Sequence, residues 1–456
     1  MSEVTDILIV GAGTGGCSAA ISAAQRELNV ILVDRKPESL IGRKICGDAV
    51  SKAAFSYINE YIPFPEPSGR ELLQEVDGIE LITSSGHSLS IEGGDKGEGF
   101  VLDRYAFGQR LLKAALDSGI AFLPNCHVDR PLISQNTVHG VTCKQNGQQK
   151  RLEAKLTIDA TGSSGILRKR LPAVVRKLGF MECDYAKKDI GFAYREIRDL
   201  KHPIPNPRIL KLFFSQKLFF GGYFWLFARG NKSANIGLGI MPVGDFIPPR
   251  KIFLDYISTQ PLYEDSTVLD GASRPLPLRR LNDSLVTNGL ILVGDSGAMV
   301  NPMNGAGIQS SMLAGAMVGE VLEECVKNGN VSIQDLWPYN QAVHKKVNSI
   351  HAPMELIKNT FLSLSDFQLS LLIKNQIISQ EDIRAGQRGT SIDFGFKAML
   401  KRLYRGKRIP FTLLKLRKAV RQMSWLKEHY NAYPDSPAKF EKWRVALNHI
   451  FPRMNT

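Results

Sequence analysis

One short glycine-rich segment constrains this chain more than anything else in it. Gly11-Ala12-Gly13-Thr14-Gly15-Gly16 fits GxGxxG through Gly11, Gly13 and Gly16. It follows an apolar run of strand length, Asp6–Val10, and opens a small-residue helix predicted over Gly15–Leu28. A second buried strand is predicted over Val30–Val33, which completes a strand–helix–strand unit. The first glycine permits a tight turn, the second lets the backbone approach a pyrophosphate, and the third lets helix and strand pack closely. The helix N-terminus, with Gly15 in its first turn, offers free N–H groups and the positive end of its dipole to an anion. Asp34, at the end of the second strand, places a carboxylate where adenosine ribose hydroxyls can donate to it. A glycine-rich turn without a ligand would leave that aspartate unexplained.

Two later segments separate FAD from NAD. Asp159-Ala160-Thr161-Gly162 follows a buried run, and it resembles the Ala-Thr-Gly turn that passes close to the cofactor in many two-domain flavoproteins. Leu290-Ile291-Leu292-Val293-Gly294-Asp295-Ser296 is a strand ending in Gly-Asp, followed by Asn301-Pro302 and Gly305-Ala306-Gly307-Ile308. Asp295 is expected at a ribityl or ribose hydroxyl. The helix start at Gly307 and Ile308 is expected to face the flavin pyrimidine or the phosphates. Three dinucleotide-contact segments in this order predict an α/β fold with a Rossmann-type FAD-binding domain.

Between these segments the texture changes. Phe192–Tyr194, Ile209–Phe214, Tyr223–Phe227 and Ile236–Ile240 are aromatic and β-branched runs, read as an inserted antiparallel sheet domain. Val76–Ile91 reads as a hairpin turning at Ser84–Gly86, and Tyr105–Ser118 as a helix. A helix is predicted over Gly307–Cys325, and everything beyond Trp337 reads as helical. The predicted organisation is a discontinuous FAD-binding domain (1–170 and 275–330), a sheet domain for substrate (171–274) and a helical C-terminal domain (331–456).

Composition removes several other classes. The six cysteines form no CxxC pair and no disulfide framework, so no metal site is expected and a reducing interior suits the chain. No stretch reaches the roughly eighteen apolar residues of a spanning helix, and the N-terminus does not read as a signal peptide. A cytoplasmic protein, with peripheral contact to a membrane, is expected. The formal net charge of +14 suits anionic partners. Eleven basic residues and no acid lie from Lys397 to Lys427, interleaved with Tyr404, Phe411, Leu413, Leu414 and Leu416. This is either a solvated face or a docking face for an anionic membrane surface. Nucleic acid is not expected as a partner, because no nucleic-acid-binding motif accompanies the charge.

Three stretches resemble the geranylgeranyl reductase family, a branch of the flavoprotein group that includes para-hydroxybenzoate hydroxylase, and the archaeal digeranylgeranylglycerophospholipid reductases within it. Arg43-Lys44-Ile45-Cys46-Gly47-Asp48-Ala49-Val50-Ser51 is similar to the family's Lys-x-Cys-Gly-Asp-(Ala/Gly) segment. Tyr223-Phe224-Trp225-Leu226-Phe227, followed by Gly237-Leu238-Gly239, resembles its Tyr-x-Trp-x-Phe-Pro…Gly-x-Gly lipid-site motif, with Ala228 in place of the proline. The Gly294-Asp295-Ser296…Asn301-Pro302…Gly305-x-Gly307 run is the third, with Asn304 where relatives often carry histidine. The likeness implies saturation of isolated prenyl C=C bonds with FAD as cofactor. The implied substrate is a prenylated lipid, an archaeal ether-lipid precursor. A prenylated quinone is the alternative, and a flavin monooxygenase or a lipid-binding flavoprotein without turnover uses the same fold. No second dinucleotide motif is found, so electrons come from an external donor, NAD(P)H or ferredoxin.

The likeness also assigns residues. Cys46 is implied at the isoalloxazine as the catalytic side chain, with Gly47 and Ala49 beside the cofactor; packing under the flavin is the other reading. Arg43 and Lys44 are expected to favour its thiolate. Val128 is implied to offer a backbone amide to the adenine. Tyr223, Trp225 and Phe227 share one strand face. They form either ordinary core or, with Gly237 and Gly239, the wall of a groove for an isoprenoid chain. Arg104 opens a helix and is expected to pair with the FAD diphosphate, with Gln109 and Arg110 as rivals or a solvated surface arginine as the alternative.

Overall fold

The computed structural model describes residues 4–93, 97–219, 221–242, 246–388, 402 and 404–452. Val, Ile and Leu fill Thr5–Val10, Val30–Val33 and Leu290–Leu292, so these strands are apolar on both faces and take the centre of a parallel sheet. Its order runs Val286–Thr287, Leu290–Leu292, Gln148–Asp159, Thr5–Val10, Val30–Val33, Ala121–Leu123. Thr5–Val10 pairs in parallel with both Gln148–Asp159 and Val30–Val33. Four of these strands end at one edge, and each is followed by a segment singled out in the sequence: Gly11, Asp34, Ala160 and Gly294. In open parallel sheets that edge is where ligands sit.

The small-residue helix is shorter than expected. It spans Thr14–Ala24, and Glu27 beyond it takes a positive φ of 58°. The late helix is split into Ile308–Met317 and Gly319–Lys327. Small residues explain where it crosses the first helix, since a Cβ on Gly315 would lie 2.2 Å from the Gly15 carbonyl oxygen.

The second sheet is mixed rather than purely antiparallel. Its order is Thr267–Pro277, Ile190–Asp199, Ser233–Ile240, Tyr223–Ala228, Ile209–Phe214, Gly78–Thr83, Ser88–Glu92. The hairpin expected inside the first domain therefore joins this sheet, through a parallel pairing of Gly78–Thr83 with Ile209–Phe214. Alternation predicts a hairpin but not its neighbour, and here it covers an edge that would otherwise present unpaired N–H and C=O groups. One face of the sheet packs Phe224, Leu226, Ile236 and Leu238 against Phe253 on the helix Pro249–Ile257. The other face, carrying Tyr223, Trp225 and Phe227 with Leu210 beside them, turns to Val76 and Val101.

The described part of the C-terminal region is helical as expected, and Leu426, Tyr430 and Trp443 share one continuous core with the first sheet. Buried Asp283 ties it down by pairing with Arg444 and with Arg280. Among the described residues, no helix is long and apolar enough to cross a membrane, and no group of His, Cys, Asp and Glu could hold a metal ion.

Candidate dinucleotide site and its flavin end

A cleft at the strand-end edge is lined by Gly11, Gly13, Asp34, Arg104, Val128 and Asp295, bringing six predicted residues together. Gly11 has φ +111°, and a Cβ there would lie 2.3 Å from the Ala160 carbonyl oxygen, so the turn and its close neighbour both require glycine. At Gly13 the space a Cβ would take is open, which leaves the backbone approachable. Gly13 also caps the first helix without a side-chain hydrogen bond, so the N–H groups of that turn face the cleft unsatisfied by a cap. Gly15 lines the cleft too, whereas Gly16 packs on the Gly11 carbonyl. The Asp34 carboxylate is oriented by two backbone N–H groups, from Ala12 to Oδ2 at 2.8 Å and from Lys36 to Oδ1 at 2.8 Å.

Arg104 decides what the cleft is built for. It is 7% exposed, and its buried Nε and Nη1 have no hydrogen-bond partner. Its rivals are occupied: Gln109 donates to the carbonyls of Glu38 and Ile41, and Arg110 pairs with Glu71 and lies over the Phe64 ring. Arg104 lies near the Asp48 carboxylate and over the Phe107 ring, but two buried N–H groups left unmet are costly unless a ligand supplies their partners. Beside an open helix N-terminus and the Asp34 carboxylate, the ligand that fits is a dinucleotide diphosphate.

At the far end Asp295 is 5% exposed and pairs through Oδ2 with Lys44 and Arg274, each at 3.3 Å. Burial alone would push its carboxyl up, but these two cations hold it below the usual carboxylate range. Ala160 and Thr161 line the same cleft. Asp159 fixes the turn they form by accepting from the backbone of Thr161, Leu167 and Arg168. Gly307 caps the helix that begins at Ile308, outside the cleft lining, and its missing Cβ would lie 3.6 Å from Asp295 Oδ1.

Cys46, Gly47 and Ala49 sit beyond the cleft lining, the first two in a loop laid across the aromatic strand and Ala49 opening the strand Ala49–Ser51. A Cβ on Gly47 would lie 3.0 Å from the Phe227 ring, and Ala49 packs in the cluster with Trp225 and Phe227. Cys46 is half-buried and close enough to Tyr223 to help raise that phenol, whose shift is mainly due to burial. Arg43 and Lys44, expected to favour the Cys46 thiolate, are engaged elsewhere. Lys44 is bound to Asp295, and Arg43 lies over the Tyr105 ring. Adjacency in sequence does not direct long side chains to a neighbour.

Tyr223, Trp225 and Phe227 do share a face, opposite Gly239, Gly237 and Asn235 on the partner strand. Trp225 and Phe227 are buried. Gly237 makes room for Trp225, whose ring lies 2.2 Å from where a Cβ would be. The open end is at half-buried Tyr223 and Gly239; the Tyr223 hydroxyl donates to the Asn304 carbonyl at 2.5 Å.

Sequence reasoning missed Asn235 and gave Asp48 no role. Asn235 is fully buried; its Nδ2 donates to the Cys46 carbonyl and to Asp48 Oδ2, each at 2.7 Å, and its Oδ1 accepts from Trp225 Nε1 at 3.0 Å. Asp48 has φ +65°, and burial pushes its carboxyl up to about 6 despite Arg104 and Arg195 nearby. An asparagine inside the apolar run Ala234–Ile240 was the available signal, since a polar residue there must be paired.

Known proteins bear on this geometry. Residues 6–169 match the family model described as FAD dependent oxidoreductase, and residues 189–271 the one described as geranylgeranyl reductase catalytic domain. The digeranylgeranylglycerophospholipid reductase of Sulfolobus acidocaldarius is 31% identical over 99% of this chain and 98% of its own length. The chain belongs to the geranylgeranyl reductase family. A second family member, digeranylgeranylglycerophospholipid reductase 1 of Methanococcoides burtonii, is 27% identical over 82% of this chain and 87% of its own. A geranylgeranyl bacteriochlorophyll reductase-like protein from Thermoplasma acidophilum superposes with a TM-score of 0.76 at 20% identity, covering 91% of this chain and 99% of its own. A myxobacterial chondrochloren halogenase shares the fold at a TM-score of 0.63 and 15% identity, over 94% of this chain and 97% of its own. As a geranylgeranyl reductase family protein, the chain is an FAD-dependent oxidoreductase.

Proposed function

We propose that this chain saturates the C=C bonds of geranylgeranyl chains carried by an archaeal ether-lipid precursor, digeranylgeranylglycerophospholipid. The observation that carries the reading is an apolar, aromatic sheet face abutting the Cys46 loop and the flavin end of an FAD-type cleft. The near full-length likeness to a digeranylgeranylglycerophospholipid reductase supports the lipid headgroup class.

FAD bound in the cleft supplies two-electron reduction of an alkene. The chain's own residues do the rest. Arg104 and the first helix's N-terminus would hold the diphosphate, Asp34 the adenosine ribose, the Val128 backbone the adenine, and Asp295 a ribityl hydroxyl. The Cys46 loop and the aromatic strand would exclude water at the flavin end of the cleft. Tyr223 and Gly239, at the open end of the face, accept the isoprenoid chain, and aromatic faces there stabilise positive charge developing on the alkene. Electrons arrive from an external NAD(P)H or ferredoxin.

The test is lipid mass spectrometry of a host that makes the unsaturated precursor and expresses this chain. The expected result is a mass gain of two per reduced bond on the phospholipid. Gains confined to quinones make the substrate a prenylated quinone. Oxygen consumption coupled to NAD(P)H oxidation, without saturated lipid, makes it a monooxygenase.

The lipid must be met at a membrane. Phe411 (83% exposed), Tyr404 (76%) and Leu414 (59%) project from the C-terminal region among exposed Lys407, Arg408, Lys415 and Lys418. Apolar side chains ringed by cations suit the surface of an anionic bilayer, where each cation contributes about 1 kcal/mol. Lys397 and Lys401 lie outside the described residues. Arg402 pairs with Asp382 and Arg405 donates to the Gln376 carbonyl, so neither is available for that surface in this arrangement. Phe411→Glu with Arg408→Glu should abolish sedimentation with anionic vesicles and leave FAD content unchanged; undiminished sedimentation removes this surface from the reading.

A further inference from the structure

The Trp of the aromatic strand does something other than line a lipid groove. Its ring is buried, and the half of the motif that is open to a ligand is the Tyr223–Gly239 end. Its one polar atom, Nε1, is spent on Asn235, and Asn235 spends both its donors on the loop that carries Cys46. These contacts join residues 189 positions apart. We propose that Trp225 and Asn235 form a hydrogen-bond relay that positions the Cys46 loop, and that both are positioning residues for the reaction at the flavin end.

The chemistry of the amide explains why both residues are needed. A carboxamide can present either its oxygen or its NH2 to the loop. The loop offers two acceptors, the Cys46 carbonyl and the Asp48 carboxylate. Only the orientation with NH2 toward them is attractive; the flipped one sets oxygen against oxygen. The indole N–H can only donate, so it bonds the amide oxygen and selects that orientation. Gly237 belongs to the same device, because a side chain there would occupy the place of the indole. Asp48 adds the other constraint. It holds a left-handed backbone, its carbonyl accepts from the Leu102 N–H at 2.9 Å, and its side chain is anchored by Asn235. The loop is therefore pinned on both sides of Gly47, and the Cys46 thiol is carried on the residue whose carbonyl is one of the pins.

The inference rests on the reductase reading for turnover only; its second readout needs no substrate. Trp225→Phe keeps an aromatic ring above Gly237 and deletes the N–H. Asn235→Ala deletes the bridge, and the double variant closes the cycle. In the FAD-loaded protein, iodoacetamide labelling of Cys46, followed peptide by peptide to separate it from half-buried Cys183, should speed up about fivefold in Trp225→Phe. The double variant should label no faster than Asn235→Ala, because the two deletions break one chain. In turnover, kcat should fall with KM for the prenyl lipid unchanged. A groove wall predicts the reverse: raised KM with labelling as in the wild type. If Asn235→Ala does not fold, Trp225→Phe alone decides. Wild-type labelling in a folded Trp225→Phe overturns the relay, whatever the substrate proves to be. Faster labelling with no prenyl turnover in the wild type leaves the relay standing and sinks the reductase reading instead.

Discussion

The two ends of the cleft are built in different ways. At the nucleotide end the contacts come from backbone and from residues close in sequence: the Gly11–Gly16 turn, the helix it opens, and Asp34 fixed by Ala12 and Lys36. At the flavin end they come from side chains drawn from distant segments: Lys44 to Asp295 across 251 positions, Asn235 to Cys46 across 189, Tyr223 to Asn304 across 81. A backbone grip tolerates no Cβ but is indifferent to most side chains. A side-chain grip tolerates substitution of the backbone's neighbours but depends on each polar partner. On the proposed reading, the first end would recognise what all dinucleotides share, and the second is where one chemistry would be distinguished from another on a common fold.

The largest expected effect breaks the nucleotide end. Gly11→Ala forces a Cβ to within 2.3 Å of the Ala160 oxygen at a positive φ. The protein should elute from a sizing column colourless, and ADP should no longer bind. A yellow Gly11→Ala protein would mean the turn yields, contrary to a backbone grip.

Asp295→Asn tests the other end. It leaves Lys44 and Arg274 without their counter-charge, and a lost charged hydrogen bond costs about 1.5–3 kcal/mol. FAD affinity measured by flavin fluorescence quenching should fall about tenfold to a hundredfold. ADP affinity should stay at the wild-type value, because the nucleotide end is untouched. Equal losses for both ligands would erase the distinction between the ends.

Arg104 sits between them and carries a prediction of two signs. Arg104→Met removes a buried guanidinium whose Nε and Nη1 lack partners. The ligand-free protein should melt higher by a few degrees, while FAD binds about tenfold more weakly. Calorimetry with and without FAD reads both. A drop in the ligand-free melting temperature would assign Arg104 to structure rather than to the diphosphate.

The smallest effect lies outside both ends, in the C-terminal helices. Burial pushes the His351 imidazole down to about 3 from its ordinary 6.5. A lowered folded-state value means its share of stability is present above pH 6.5 and is lost as pH falls from there toward 3. At one unit below 6.5 that share is reduced by about 1.4 kcal/mol. His351→Leu should flatten the fall of the urea midpoint between pH 7 and 5.5 without changing FAD affinity. An unchanged slope in the variant would assign the acid sensitivity to other groups.

Glycine spacing, two buried strands and an aspartate after the second were enough to read the Rossmann-type unit and to bring Gly11, Gly13, Gly15 and Asp34 to one cleft. The reason is that a backbone grip is local: the residues that make it are those that shape the turn. The Gly-Asp turn at Asp295 was legible for the same reason. What the sequence could not supply was partnership. Lys44 stands two residues from Cys46 and reaches Asp295 instead. The Gly78–Thr83 strand is plainly half of a hairpin, yet only the folded chain shows that it completes the second sheet. Trp225 reads by its spacing only as one aromatic on a shared strand face, whereas its N–H, the one atom that periodicity ignores, ties it to Asn235 and through it to Cys46. Periodicity decides which face a side chain takes, because that depends on the backbone alone. Which polar atom meets which is decided by long-range packing that leaves few of them without a partner, and that is set only when distant segments come together.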